Sequence, residues 1–167
     1  MAKGEDIMKI MSRWSPITYV IEEVQRQGHN TDDWYDGGRR VLWMLDCWNY
    51  AMACQKAGQR LPQVEDTINL GTMMEQEANL DGIRHCDVWV GGQACPPPEG
   101  LTQKLTDLFD VIRDYAPLDF YRAFLTIHPF KDGNGRTAKV LLNWISRTLE
   151  SPYFPPNDFW GRSIRNP

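Results

Sequence analysis

The fold is decided by residues 128–139, which read His-Pro-Phe-Lys-Asp-Gly-Asn-Gly-Arg-Thr-Ala-Lys. One apolar helical pattern precedes this loop and another follows it, marked by Tyr121, Phe124 and Leu125 and by Leu141, Ile145 and Leu149. The first pattern ends at Ile127, because the residue before a proline is disfavoured in helical conformation. The stretch therefore predicts two helices joined by a short loop, with His128 at the junction.

The second half of the loop is suited to binding an anion. Gly133, Asn134 and Gly135 can turn their backbone N–H groups toward one point at the start of the second helix, where the helix dipole favours negative charge. Arg136 and Lys139 lie three residues apart and project from one face of the first turn. Basic residues there oppose the dipole, and this cost is explained if a polyphosphate lies between them.

Two other residues of the loop bring reactive groups. His128 carries an imidazole, whose unperturbed pKa near neutrality suits a general base. Asp132 offers a hard oxygen ligand of the kind that Mg²⁺ uses when it also holds phosphate oxygens. Each feature alone has an ordinary structural interpretation, since such turns are common in loops and two basic residues can be a solvated helix face. Their conjunction indicates a functional site.

Helical periodicity also runs through most of the remaining chain. Ser15-Pro16 predicts a helix start and Gly28 a helix end, and a stretch from about Gly38 to Ala57 is apolar nearly all round, which predicts a central buried helix. Two more helices are predicted from Pro62 through Met74, and from Leu101 until Pro117. The apolar faces comprise Ile17, Val20, Ile21 and Val24 in the first helix, and Leu101, Leu105, Leu108 and Ile112 in the last.

Residues 84–98 depart from the helical pattern. Val88, Trp89 and Val90 form a short β-prone run, and the following Gly91-Gly92 can supply the positive φ angles of a hairpin turn. A triple proline then leads out of the hairpin, since proline can neither join a sheet ladder nor start in mid-helix. The sequence predicts an all-α fold with one small β-hairpin, in a single domain over residues 1–167.

Composition limits the classes of function. The net charge is −4, so bulk electrostatics does not indicate nucleic-acid binding. No apolar run approaches a membrane span, and the stretch Met1–Asp6 lacks the apolar core of a signal peptide. We therefore expect a cytoplasmic protein, or one delivered to a host cell by a signal not visible in this chain.

The cysteines and histidines do not indicate a metal site. The four cysteines, Cys47, Cys54, Cys86 and Cys95, match no paired C-x-x-C spacing, and the three histidines are scattered along the chain. Because an unoxidised cysteine packs as a small hydrophobic residue, we expect these four to be buried thiols.

Residues 128–139 resemble the signature of the Fic family, which runs His-Pro-Phe, any residue, Asp or Glu, Gly-Asn-Gly-Arg, two residues and Arg. The chain matches every position but the last, where Lys139 replaces arginine. The hairpin around Trp89–Gly92 and the segment Pro96–Glu99 are similar to the family's flap and the segment after it. The resemblance implies a Fic-like helical domain whose flap, about residues 84–98, lies beside an active-site loop at 128–139.

The resemblance also implies an activity, protein adenylylation, in which AMP passes from ATP to a Ser, Thr or Tyr hydroxyl of a target protein and pyrophosphate leaves. His128 would be the base and Asp132 would hold Mg²⁺. The phosphates would be bound by Gly133, Asn134, Gly135, Arg136 and Lys139, with Lys139 at the γ-phosphate as a point charge rather than a planar fork.

The flap would pair main chain to main chain with an extended stretch of the target. Val88, Trp89 and Val90 are the candidate residues for that edge. For the Trp89 side chain, a role as a core anchor of the hairpin is an equally good interpretation.

Family members are often inhibited by a Ser/Thr-x-x-x-Glu-Gly/Asn string whose glutamate pairs with the second arginine. The nearest strings here, Glu77–Gly82 and Ser146–Ser151, each fail at one or more positions, with Asp81 and Glu150 as the acids. We therefore expect no internal inhibition, so that a separate antitoxin-like protein, or nothing, restrains the chain.

The sequence does not distinguish a toxin from an effector. Two other functions also stay open. One is a Doc-like protein kinase or another phosphate-linked group transferase, although Gly133-Asn134-Gly135 favours nucleotidyl transfer. The other is a catalytically silent module that binds a nucleotide or a protein, which the presence of both His128 and Asp132 disfavours.

Overall fold

The computed structural model describes residues 14–157, and the Met1–Asp6 stretch and the ends of the predicted domain lie outside this range. Within it the chain forms six α-helices and one two-stranded antiparallel sheet. The helices are α1 (Pro16–Arg26), α2 (Arg39–Lys56), α3 (Val64–Met74), α4 (Leu101–Asp110), α5 (Pro117–Ile127) and α6 (Asn134–Ile145), and the strands are β1 (Trp89–Val90) and β2 (Gln93–Ala94). A π-helical turn, Trp34–Gly38, precedes α2, and a 3-10 turn, Ile112–Asp114, follows α4. The predicted helical fold with one small hairpin is confirmed.

Helix α1 begins and ends where the sequence predicts. The Ser15 side chain accepts a hydrogen bond from the Thr18 N–H at 3.2 Å, and Gly28 takes a φ of 89° just after the helix. The buried face is rotated from the predicted one: Tyr19 and Glu23 are buried while Ile17 is 58% exposed. Spacing alone cannot distinguish two adjacent faces that share Val20 and Val24, and contact with the neighbouring helices decides between them.

Helix α2 packs against α1, α3 and α6 through one face. That face consists of Met44, Cys47, Trp48 and Ala51. The prediction of a helix buried all round is wrong, because the side opposite these neighbours faces solvent and leaves Leu42 48% exposed. None of the helices within residues 14–157 combines the length and apolarity needed to cross a bilayer.

Two predicted boundaries and one cysteine prediction need correction. Helix α3 begins at Val64, two residues beyond Pro62, and Pro117 starts α5 rather than ending α4. All four cysteines are thiols, but only Cys47 is buried and Cys86 is exposed. Cys86 lies on the approach to the hairpin, where no helix covers it.

Helix α6 occupies the centre of the core. All but two of its residues are buried, and it packs against α2, α3 and α5. The loop before α6 is anchored by Phe130, whose ring lies on the backbone of Gly71 in α3. A Cβ at Gly71 would lie 2.2 Å from Cζ of that ring, so this position has room for hydrogen only.

We expect Gly71→Ala to lower the free energy of unfolding by about 1–3 kcal/mol, because overpacking outweighs the gain in helix propensity. Urea unfolding followed by circular dichroism measures the change. The double variant Gly71→Ala/Phe130→Leu should recover part of the loss, since the smaller side chain relieves the contact. A stabilised Gly71→Ala protein would contradict this packing.

Candidate active site

The loop from His128 to Gly133 is held in a strained conformation. His128 terminates α5 with a φ of 53°, a left-handed conformation that costs a residue with a β-carbon roughly 1–2 kcal/mol. Two hydrogen bonds close the loop behind it: the Phe130 N–H donates to Asn134 Oδ1 at 3.0 Å, and Asn134 Nδ2 donates to the Phe130 carbonyl at 2.9 Å. The Asn134 amide therefore shapes the loop, and a phosphate contact by this residue would fall to its backbone N–H.

The environment of His128 favours the neutral imidazole. Burial lowers its pKa, and the nearby Arg84 charge acts in the same direction, against the opposing influence of Leu125 and Asp132. Nδ1 lies 3.2 Å from the Leu125 carbonyl, which can only accept a hydrogen bond. Donation from Nδ1 makes Nε2 the basic nitrogen of the ring.

Asp132 stands at the rim of the site. Its side chain is 54% exposed, and Oδ1 accepts a hydrogen bond from the Gly133 N–H at 2.6 Å. In the described part of the chain no group of three or more His, Cys, Asp or Glu side chains could hold a metal. A single accessible carboxylate beside the predicted phosphate site nevertheless fits Mg²⁺, which commonly uses one or two carboxylates together with substrate phosphates and water.

Arg136 is fully buried in the first turn of α6. Its Nη2 lies 2.5 Å from Glu75 Oε1, and its Nε donates to Gln27 Oε1 at 3.2 Å. The same Glu75 oxygen accepts from Arg40 Nε at 2.7 Å, so one carboxylate serves two guanidinium groups. Arg136 Nη1 has no hydrogen-bond partner within residues 14–157. A buried N–H donor without an acceptor is costly, and a bound anion would satisfy it.

Lys139 is buried as well, and it is paired. Its Nζ lies 2.8 Å from Oε1 of Glu23 on α1 and 5.9 Å from the centre of the Tyr121 ring. Burial by itself would lower the pKa of Lys139, but Glu23 and Tyr121 outweigh it and the pKa is raised. The alternative of a solvated helix face is therefore wrong for this residue.

An acid of this chain does reach Lys139, but it is Glu23 and not the acid of either near-match string. The acids of the two near-match strings lie elsewhere: Asp81 is exposed, 3.9 Å from Lys131, and Glu150 is exposed. A signal for Glu23 was present in the sequence, because it follows Tyr19 and Val20 at helical spacing. A carboxylate on the buried side of a helix needs a cation.

Two buried residues between α3 and the hairpin hold the loop and were missed by sequence reasoning. Asn79 Nδ2 donates to the carbonyls of Gly71 and Asp132, each at 2.8 Å. Arg84 donates from Nε to the His128 carbonyl at 2.8 Å, and its backbone N–H donates to the Pro129 carbonyl at 2.9 Å. Neither carries a local sequence signal, since each lies in a polar connection with no periodicity.

The hairpin lies beside the loop through these contacts. Trp89 pairs with Ala94, and Gly91 and Gly92 take φ values of 56° and 81°, as the predicted turn requires. Trp89 is 62% exposed, so it is not a core anchor of the hairpin. The Val88 carbonyl extends the pairing by accepting from the Cys95 N–H at 3.0 Å.

The chain is similar in sequence to known proteins. A family model described as the Fic/DOC family matches residues 63–146, half of the chain. A relative named protein adenylyltransferase Fic, from Nematostella vectensis, is 35% identical over 138 residues, which cover 71% of this chain and 31% of that protein. Protein adenylyltransferase fic-1 of Caenorhabditis elegans is 30% identical over 114 residues, covering 58% of this chain and 22% of that protein.

A solved structure gives the same result for the fold. The structure of Fic-1 from Caenorhabditis elegans matches with a TM-score of 0.57 at 22% sequence identity, covering 70% of this chain and 38% of that one. The chain thus spans 22% and 31% of the length of the two adenylyltransferase relatives. The residues matched by the family model include both the loop and the hairpin. With half of its residues matched by the family model, the chain belongs to the Fic/DOC family.

Proposed function

We propose that this chain transfers AMP from ATP to a Ser, Thr or Tyr hydroxyl of a target protein and releases pyrophosphate. The observation that carries the proposal is Arg136 Nη1, a fully buried donor with no acceptor in the described part of the chain, located at the N-terminus of α6. Both the dipole of that helix and the unmatched donor favour a phosphate there. The names of the relatives, protein adenylyltransferases, supply the reaction class.

The nucleotide phosphates would lie across the first turn of α6. The N–H groups of Asn134 and Gly135 have no acceptor within the helix, because the first four N–H groups of any α-helix lack one. Arg136 would bind the β-phosphate through Nη1, and Lys139 would reach the γ-phosphate. Charge-assisted hydrogen bonds of this kind stabilise the charge that develops on leaving pyrophosphate.

His128 would act on the acceptor hydroxyl. The target oxygen forms a bond to the α-phosphorus while the bond between that phosphorus and the bridging oxygen to the β-phosphorus breaks. The hydroxyl proton passes to Nε2 of His128, and pyrophosphate departs with the electron pair. Because burial keeps the imidazole neutral, the base is available at physiological pH.

Asp132 would hold Mg²⁺ through its exposed carboxylate, and the ion when bound would neutralise charge on the phosphate oxygens. The flap would receive the target. Main-chain pairing along Val88, Trp89 and Val90 would set the register of an extended segment, and the exposed Trp89 ring would add apolar contact. No particular target sequence is required by such pairing.

The Glu23–Lys139 pair would oppose ATP binding. While Lys139 is neutralised by a buried carboxylate 2.8 Å away, that carboxylate also places a negative charge where the γ-phosphate would lie. ATP must therefore displace Glu23 or compete with it for Lys139. We propose that α1 restrains the chain internally, whereas the sequence led us to expect restraint by a separate protein or by nothing.

ATP labelled on either the α- or the γ-phosphate tests the function. We expect the α-label to enter protein and the γ-label to leave as pyrophosphate, whereas a kinase would incorporate the γ-label and a silent module neither. His128→Ala should lower incorporation by about 10²–10⁴-fold, the usual contribution of a general base, while ATP affinity is retained. Residual transfer within about tenfold of the unmodified chain would exclude His128 from this role.

Glu23→Gln should raise ATP affinity by at least about tenfold, or about 1.4 kcal/mol, because the isosteric amide removes the competing charge and keeps a hydrogen bond to Lys139. Isothermal titration with ATP and Mg²⁺, together with the rate of label incorporation, measures the effect. Glu22→Gln is the matched control, since Glu22 pairs with Arg26 on the surface of the same helix. Equal affinity in both variants would mean that the Glu23–Lys139 pair only stabilises the fold.

The pH dependence of transfer reports on His128. A general base works when it is neutral, so activity rises as pH increases through its pKa. Because burial lowers that pKa from its ordinary value of 6.5, the acid limb of kcat/KM should fall below pH 6.5. Rate measurements in constant-ionic-strength buffers locate the limb, and a limb above this value would contradict the buried neutral imidazole.

A further inference from the structure

The Arg84 guanidinium joins the flap to the catalytic loop. Its three nitrogens donate to three carbonyls: Nε to His128 at 2.8 Å, Nη1 to Cys86 at 2.8 Å and Nη2 to Pro96 at 2.6 Å. Cys86 precedes β1 and Pro96 follows β2, so the Arg84 side chain binds the backbone on both sides of the hairpin. Arg84 is 1% exposed, and solvent does not compete for these bonds.

The carbonyl that Arg84 holds belongs to the residue with the strained backbone. His128 has a φ of 53°, and its imidazole direction depends on the peptide orientation at that position. The backbone N–H of Arg84 also donates to the Pro129 carbonyl, at 2.9 Å. The same residue therefore binds two successive carbonyls of the loop and also holds the backbone on both sides of the hairpin.

We propose that Arg84 is a positioning residue that sets the distance and angle between a target hydroxyl on the flap and His128. The inference rests on the proposed function. The hydrogen bonds described for Arg84 all go to the loop and to the segments flanking the hairpin, so it would act on the position of the protein substrate rather than on the nucleotide. A planar fork with donors in three directions is needed, and a lysine ammonium is a point charge on a flexible stem.

Arg84→Lys and Arg84→Met separate the fork from the charge. We expect each to lower kcat for target modification by about 10²-fold, the size of effect that a misplacement of about 1 Å can cause, with the Kd for ATP unchanged. Arg122→Gln is the control, because Arg122 lies on α5 and pairs with Asp119 on the surface. Full activity of Arg84→Lys would overturn the proposal, as would an equal loss of ATP affinity in both variants.

A second measurement needs neither a variant nor activity. In the unmodified chain, hydrogen exchange followed by NMR compares the Arg84 Nε–H with the Cys95 N–H, which donates within the hairpin. If Arg84 fastens the hairpin to the loop, the two protons exchange through one opening event and at the same protection. Protection factors differing by more than about tenfold would show that the hairpin opens independently, which would overturn the proposal. This result stands apart from the labelled-ATP test, so failure of the activity and failure of the coupling are distinguishable.

Discussion

Two cations buried in the first two turns of one helix constrain the rest of this structure. Arg136 and Lys139 lie where the dipole of α6 opposes positive charge, and both are removed from water. An unpaired buried charge costs several kcal/mol, so carboxylates must come from other elements. Glu75 follows α3 and Glu23 belongs to α1. Packing of α1 and α3 against α6 is thereby coupled to the charge balance of the site.

The same arrangement would link stability to the proposed nucleotide binding. Glu75 is shared with Arg40, so Arg136 keeps one donor, Nη1, unmatched while its other contacts hold the guanidinium in place. Lys139 is the cation that pairs with Glu23 among the ion pairs described, and under the proposed function that pair would have to change when ATP binds. Arg136 thus has an unmatched donor whereas Lys139 is already paired, although the two are only three residues apart.

Much of the fold and of the candidate site could be predicted from the sequence, because the signals are local. Proline after His128 ends α5, Ser15-Pro16 starts α1, and Gly91-Gly92 turns the hairpin, each through backbone preferences of one or two residues. The grouping of the candidate base, anion site and metal ligand within 128–139 is local as well. Burial was harder to predict: α2 is buried on one face only, and Trp89 is exposed on the hairpin. Which face is covered depends on neighbours that are distant in the chain.

The sequence by itself determined the helical fold, the hairpin and the residues of the loop, since helix caps, turn glycines and a contiguous motif act over a few residues. Only the tertiary structure decided which residues hold the loop in place and which carboxylates pair with its cations. Arg84 donates to the His128 carbonyl although the two residues are 44 positions apart in the sequence. Glu75 and Arg136 are 61 positions apart, and Glu23, which pairs with Lys139, belongs to α1. Pairing of buried charges and carbonyls depends on distance in space, and no pattern within a short stretch of sequence encodes that distance.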